Sequence, residues 1–191
     1  MENLNVGFAM CGSFCTFSSV IEQMQALLKN ENVNIIPIMS STAYSTDTRF
    51  GKSSYFKEKI EKMTNNSIVH TIAGAEPIGP KKLLDILIIA PCTGNTLAKL
   101  ANGITDSPVT LAAKAHLRNQ RPVVIAVSTN DALSSSAKNI GQLMNYKNIF
   151  FVPMKQDDFS NKPTSVVADF SLIEQSMKNA LEGIQIQPVL L

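Results

Sequence analysis

Short continuous apolar runs, each followed by a segment whose apolar residues fall at helical spacing, recur along this sequence. The runs are Val6-Gly7-Phe8-Ala9-Met10, Asn34 to Met39, Asp85 to Ala90, Val123 to Val127 and Ile149 to Val152. After the first come Phe17, Val20, Ile21, Met24 and Leu27, and after the third Leu97, Leu100, Ala101 and Ile104, both at helical spacing. Further helical segments are expected around Phe56, Ile60 and Met63, from Val109 to Leu117, from Ala137 to Met144 and from Leu172 to Leu181. A strand that is apolar on both faces must be covered on both, which a mostly parallel sheet with helices above and below achieves. The expected fold is therefore α/β: a three-layer, doubly wound, Rossmann-like domain spanning residues 1–191. Ligand sites in such sheets lie in the loops leaving the strands' carboxyl ends.

Pro37 lacks a ladder donor, so the second strand belongs near an edge. A weaker extended segment lies around Ile68 to Ile72. Ser40 to Lys52, Gly74 to Pro80 and Pro153 to Pro163 read as loops, and Gln185 to Leu191 as an apolar-tipped tail.

Composition narrows the function classes. The 17 basic and 15 acidic side chains leave a formal net charge of +2, which offers no field for nucleic acid or an anionic membrane. The longest apolar run is too short to span a bilayer and is broken by Asp85, and no leader pattern opens the chain, so the expected compartment is the cytoplasm. Cys11, Cys15 and Cys92 are odd in number and keep no zinc-ligand spacing with His70 or His116, so neither a disulfide framework nor a metal site is expected. His116 is expected on a helix surface and His70 in a structural role.

Four strand-end loops concentrate hydroxyl and amide side chains: Gly12-Ser13, Ser40-Ser41-Thr42, Thr93-Gly94-Asn95-Thr96 and Ser128-Thr129-Asn130. On one rim, with backbone N–H groups at helix starts, they suit a phosphate. Equally, Ser, Thr and Asn at these positions cap helices. The second strand ends in hydroxyls where an NAD-binding fold places an acidic residue, and neither Gly-x-Gly-x-x-Gly nor Gly-x-x-x-x-Gly-Lys-Ser/Thr occurs. A mononucleotide such as FMN is the better candidate. No hydrolytic triad or nucleophile elbow is present. Arg49, in the loop Asp47-Thr48-Arg49-Phe50-Gly51, is either a bidentate clamp for a carboxylate or a solvated surface arginine.

The stretch Ala90-Pro91-Cys92-Thr93-Gly94-Asn95-Thr96-Leu97-Ala98-Lys99-Leu100-Ala101-Asn102-Gly103-Ile104-Thr105-Asp106 resembles the signature of the flavoprotein superfamily that includes cysteine decarboxylases and flavin prenyltransferases. Thr46 to Gly51, Ala75 to Lys81, Ser128 to Leu133 and Gln156-Asp157-Asp158 narrow the resemblance to the dipicolinate synthase B-subunit family, over essentially the whole chain. The resemblance implies FMN held by Gly12, Ser13, Ser40, Thr42, Cys92, Thr93, Asn95, Ser128, Thr129 and Asn130. It implies Arg49 and Asn130 on the substrate side, and an A subunit as the NAD(P)-binding partner. The implied reaction oxidises a dihydro- or hydroxytetrahydropyridine dicarboxylate to dipicolinate in the mother cell of a sporulating bacterium. The implied assembly is a homotrimer or a larger assembly of trimers.

Three departures qualify it. Phe14 stands where the family carries histidine in Gly-Ser-His-Cys-Thr, and Glu76-Pro77-Ile78-Gly79 replaces the decarboxylases' His-Ile-x-Leu. Of their Pro-x-Met-Asn motif only Asn130 is matched in Val127-Ser128-Thr129-Asn130. The rival readings are a stand-alone flavin-dependent decarboxylase or prenyltransferase and a non-catalytic scaffold for the A subunit.

Overall fold

The computed structural model describes residues 3–191, so the first two residues of the expected domain lie outside the described ones. Five strands run parallel: β1 (Leu4–Met10), β2 (Val33–Met39), β3 (Ile86–Cys92), β4 (Val123–Thr129) and β5 (Ile149–Phe151). Two short strands, β6 (Met154–Gln156) and β7 (Val166–Ala168), pair antiparallel with each other, and β7 pairs antiparallel with the end of β4. The sheet order is β2-β1-β3-β4-β7-β6, and β5 pairs with the beginning of β4.

The helices are α1 (Phe17–Leu27), α2 (Ser41–Ser45), α3 (Ser53–Thr64), α4 (Ile72–Ala75), α5 (Gly94–Ala101), α6 (Pro108–Arg118), α7 (Ala137–Met144) and α8 (Ile173–Leu181). α1, α3 and α8 cover one face of the sheet and α4 to α7 the other. This three-layer α/β arrangement is the one the alternating pattern predicts. Ile86, Leu87, Ile88 and Ile89 are fully buried, and burying each such side chain contributes about 1.5–3 kcal/mol. That is why β3 reads as an unbroken apolar run.

Pro37 sits in β2, the sheet's edge, as its missing donor requires. Its carbonyl accepts from Val69 N–H and Val69 carbonyl accepts from Met39 N–H, both at 2.9 Å, so the weak extended segment is a short partner of that edge. At the opposite edge the amide of Gln185 replaces a neighbouring strand. It donates to Phe151 carbonyl and accepts from Phe151 N–H, both at 2.7 Å. Beyond it, the tail pairs with β6 through Met154 and Leu190.

Several expectations need correction. The loop Ser40 to Lys52 contains α2, and Gly74 to Pro80 contains the end of α4 and a 3-10 turn over Glu76–Ile78. Thr71 caps α4 by accepting from Gly74 N–H at 3.0 Å, and Pro77 stands in a first turn, where a missing N–H costs nothing. The polar connection Pro153 to Pro163 contains β6, whose Lys155 and Gln156 are exposed and show no apolar run. His116 is not on a surface. The small residues Ala112, Ala113 and Ala115 let α6 pack closely, and His116 is 1% exposed with no partner for Nε2. Burial, followed by the nearby Arg121 charge, pushes its pKa down to about 4.

Candidate functional site

Strand order reverses between β1 and β3, since β2 lies on one side of β1 and β3 and β4 on the other. The chain leaves these two strands in opposite directions, which opens a crevice at their carboxyl ends. Pro91 falls near the end of β3, and the register with β4 shifts between Ile89 and Cys92. An irregularity of this kind bends a strand at its exit.

The crevice has two lobes. The larger, about 610 Å³, is lined by Gly12, Ser13, Phe14 and Cys15 from the β1 loop, by Thr93, Gly94 and Asn95, and by Ser128 to Asp131. Thr48 and Phe50 close one side, and Asp157, Lys162, Ser165 and Val167 of the β6–β7 ribbon close another. The smaller, about 350 Å³, is lined by Cys11, Ser40, Ser41, Thr42, Thr96, Lys99, Asp106 and Ser107. Gly12, Thr93 and Asn95 belong to both and form the threshold between them. Lys99 pairs with Asp106 at 2.7 Å.

Capping and lining turn out to be compatible. Ser40 Oγ accepts from Ala43 N–H at 3.2 Å to cap α2, and Thr93 Oγ1 accepts from Thr96 N–H at 3.4 Å to cap α5. Both residues still border the crevice. Ser13 and Ser128 share a hydrogen bond at 2.8 Å, tying the β1 loop to the end of β4 across β3. Thr96 Oγ1 donates to Cys11 Sγ at 3.2 Å.

Asp131 is set in a cage of hydroxyls. Thr129 Oγ1 donates to it at 2.5 Å and Ser136 Oγ at 3.0 Å, and Ser135 adds a third donor. Partial burial works to raise its pKa, but the hydroxyls of Ser135, Thr129 and Ser136 outweigh it and hold the carboxyl below its ordinary value. The cage abuts the start of α5, where a carboxylate complements the positive helix end. A Cβ on Gly94 would meet Asp131 Oδ1 and Ser136 Oγ at 2.6 Å and Thr129 Oγ1 at 2.9 Å, so any side chain there must displace the cage. Asp157 is also held below its ordinary value, by Ser165 first and then Lys162, with which it pairs at 3.2 Å. The buried thiols behave oppositely: burial pushes Cys11 up to about 11 and Cys92 well above the usual range.

The structure brings Gly12, Ser13, Ser40, Thr42, Thr93, Asn95, Ser128, Thr129 and Asn130 together in one crevice. Two sequence-expected residues lie outside its lining. Cys92 is fully buried as the last residue of β3, so its side chain cannot reach a ligand. Arg49 is exposed, with its guanidinium 4.9 Å from the ring centroid of Phe50; it meets the crevice only through that ring. His70 lies elsewhere, stacked on Tyr44 with centroids 3.8 Å apart. Glu76 lines a separate crevice between the 3-10 turn and α6.

Sequence reasoning missed Thr48, Phe50, Asp131 and the ribbon residues. Asp131 carries a readable signal, a carboxylate followed by Ser134-Ser135-Ser136. The ribbon carries none, because only tertiary folding brings it over the crevice.

A doubly wound sheet with a crevice of this size at its order reversal defines a three-layer α/β class of fold with its ligand site at the strands' carboxyl ends. Residues 1–178 match the family described as Flavoprotein, and the chain belongs to it. It is 46% identical over 190 residues to the B subunit of dipicolinate synthase of Bacillus subtilis (strain 168), across 100% of this chain and 94% of that protein. The crystal structure of the corresponding dipicolinate synthase B subunit from Bacillus halodurans is similar at a TM-score of 0.89 and 45% identity, covering 100% of this chain and 98% of that one. DmrB of Burkholderia xenovorans, solved in complex with FMN and described as a cubic cage for redox transfer, shares the fold at a TM-score of 0.70 and 16% identity, covering 94% and 96%. The family resemblance drawn from the sequence and the fold class are both supported.

Proposed function

We propose that this chain is the flavin-binding B subunit of a dipicolinate synthase. It holds FMN across the two lobes and acts with an NAD(P)-binding A subunit to oxidise a cyclic pyridine dicarboxylate precursor. The observation that carries this reading is the convergence of four hydroxyl- and amide-bearing loops on one crevice at the strand-order reversal. Similarity over the full length to the B subunits of dipicolinate synthases supports a role in dipicolinate synthesis.

The donor set fits such a cofactor. The smaller lobe is rich in neutral donors, Ser40, Ser41, Thr42, Thr93 and Asn95, suited to a phosphate and its ribityl chain. The larger lobe adds the apolar walls Phe14, Phe50 and Val167, suited to a planar ring, with Ser13, Ser128, Thr129 and Asn130 at its polar edge. A bound flavin would supply a hydride-accepting centre. The chain's own part is to orient ring and substrate and exclude water: the Asn130 amide, at the rim, would hydrogen-bond either partner, and Arg49 rests on the Phe50 ring that walls the crevice. Superfamily resemblance suggests trimers or assemblies of trimers, and the setting is the cytoplasm of a sporulating mother cell.

Co-purification of both subunits, followed by release and absorbance of the chromophore and assays omitting each subunit, tests this reading. One FMN for each copy of this chain, with product formed only when both subunits are present, is the expected result. Full product formation without this chain would refute it.

A second reading, a flavin-loaded scaffold without a chemical role, is favoured by one observation. Neither histidine borders the crevice, and Phe14 stands in its wall. Undiminished product formation from a complex stripped of flavin would select that reading.

A further inference from the structure

A crevice that takes a dicarboxylate needs a cation, and its charge distribution makes the choice narrow. Among the described residues lining the larger lobe, Lys162 is the only cation, and the lining also holds two carboxylates, Asp131 and Asp157. Asp131 is already satisfied by its three hydroxyls, so its charge stays in place and repels an arriving anion. Arg49 is engaged on Phe50, outside the lining. Lys162 has a side chain 58% exposed and a single carboxylate partner, Asp157 at 3.2 Å.

Its backbone is held firmly. Lys162 N–H donates to Asp158 carbonyl at 2.8 Å, and Asp158 accepts from Asn161 N–H at 3.0 Å. Thr164 Oγ1 donates to Asn130 carbonyl at 2.6 Å, fastening this turn to the rim of the crevice. A fixed backbone with a solvated ammonium at the mouth is arranged for a change of partner, at little cost in desolvation.

Resting on the proposed reading of the site, we infer that Lys162 captures one carboxylate of the dicarboxylate by leaving Asp157 for it. Asp157 is then a competitor that keeps the lysine in place between turnovers.

Calorimetric titration of the assembled complex with pyridine-2,6-dicarboxylate tests this directly. Lys162→Met should weaken binding about tenfold to a hundredfold, the scale of one lost charge-assisted hydrogen bond. Lys162→Arg should restore most of it, and Asp157→Asn should tighten it by removing the competitor. Flavin content and thermal midpoint should match the unsubstituted protein in all three. Unchanged affinity in Lys162→Met, or no dicarboxylate binding by a complex that contains flavin and makes product, overturns the role of Lys162 and leaves the proposed function standing. Absence of flavin and of product from the unsubstituted complex fails the proposed function instead.

Discussion

At the scale of single residues, the start of α5 is the most constrained point of the crevice. Gly94 has its missing side chain's place taken by the Asp131 hydroxyl cage, so even a methyl group must push polar atoms apart. Gly94→Ala should destabilise the protein by about 1–3 kcal/mol, the usual cost of overpacking, as a lowered denaturant midpoint at unchanged slope. On the proposed function it should also weaken FMN binding, because Asn95 next to it forms the threshold between the lobes. The loops at the ends of β1 to β4 were legible because small polar residues directly follow apolar runs in four separate places, a recurrence that helix capping at any one of them does not explain. Arg49 was ambiguous from sequence, since nothing local distinguishes a clamp from a side chain resting on its neighbour Phe50. Cys92 falls outside the crevice lining because a family signature marks a position in the chain and not the direction of its side chain, which at this residue is fully buried.

At the scale of elements, the five parallel strands were readable because burial on both faces leaves continuous apolar runs. β6 and β7 were not: each has three residues, Lys155 and Gln156 are exposed, and their pairing depends on contacts distant in sequence. α2 was hidden for a different reason, its Ser-Thr-Ala-Tyr-Ser run having no apolar period. The ribbon is joined to the rim by Thr164 Oγ1 on Asn130 carbonyl at 2.6 Å. Thr164→Val should therefore cost about 1 kcal/mol and speed amide exchange locally in Val166 and Val167, with β1 and β3 unaffected. Equal acceleration throughout the sheet would show that the ribbon has no independent stability.

At the scale of the whole molecule, stability should depend on pH through His116, far from the crevice. The folded protein keeps this side chain neutral down to about pH 4, whereas the unfolded chain protonates near the ordinary value of 6.5. Between those values the unfolded state binds more protons, so stability falls as pH drops from 6.5 towards 4 and is insensitive to this group above that window. The loss should approach about 3 kcal/mol, measured by urea unfolding across the range, and His116→Leu should remove that slope. The sheet's far border has a consequence for how copies of the chain can associate. With the carboxamide of Gln185 closing the backbone of Phe151 and the tail lying along β6, an incoming copy finds no free row of amides there onto which to extend the ladder. Extension of the sheet from one copy into the next is thereby disfavoured on that side, so contact between copies there would be made by side chains.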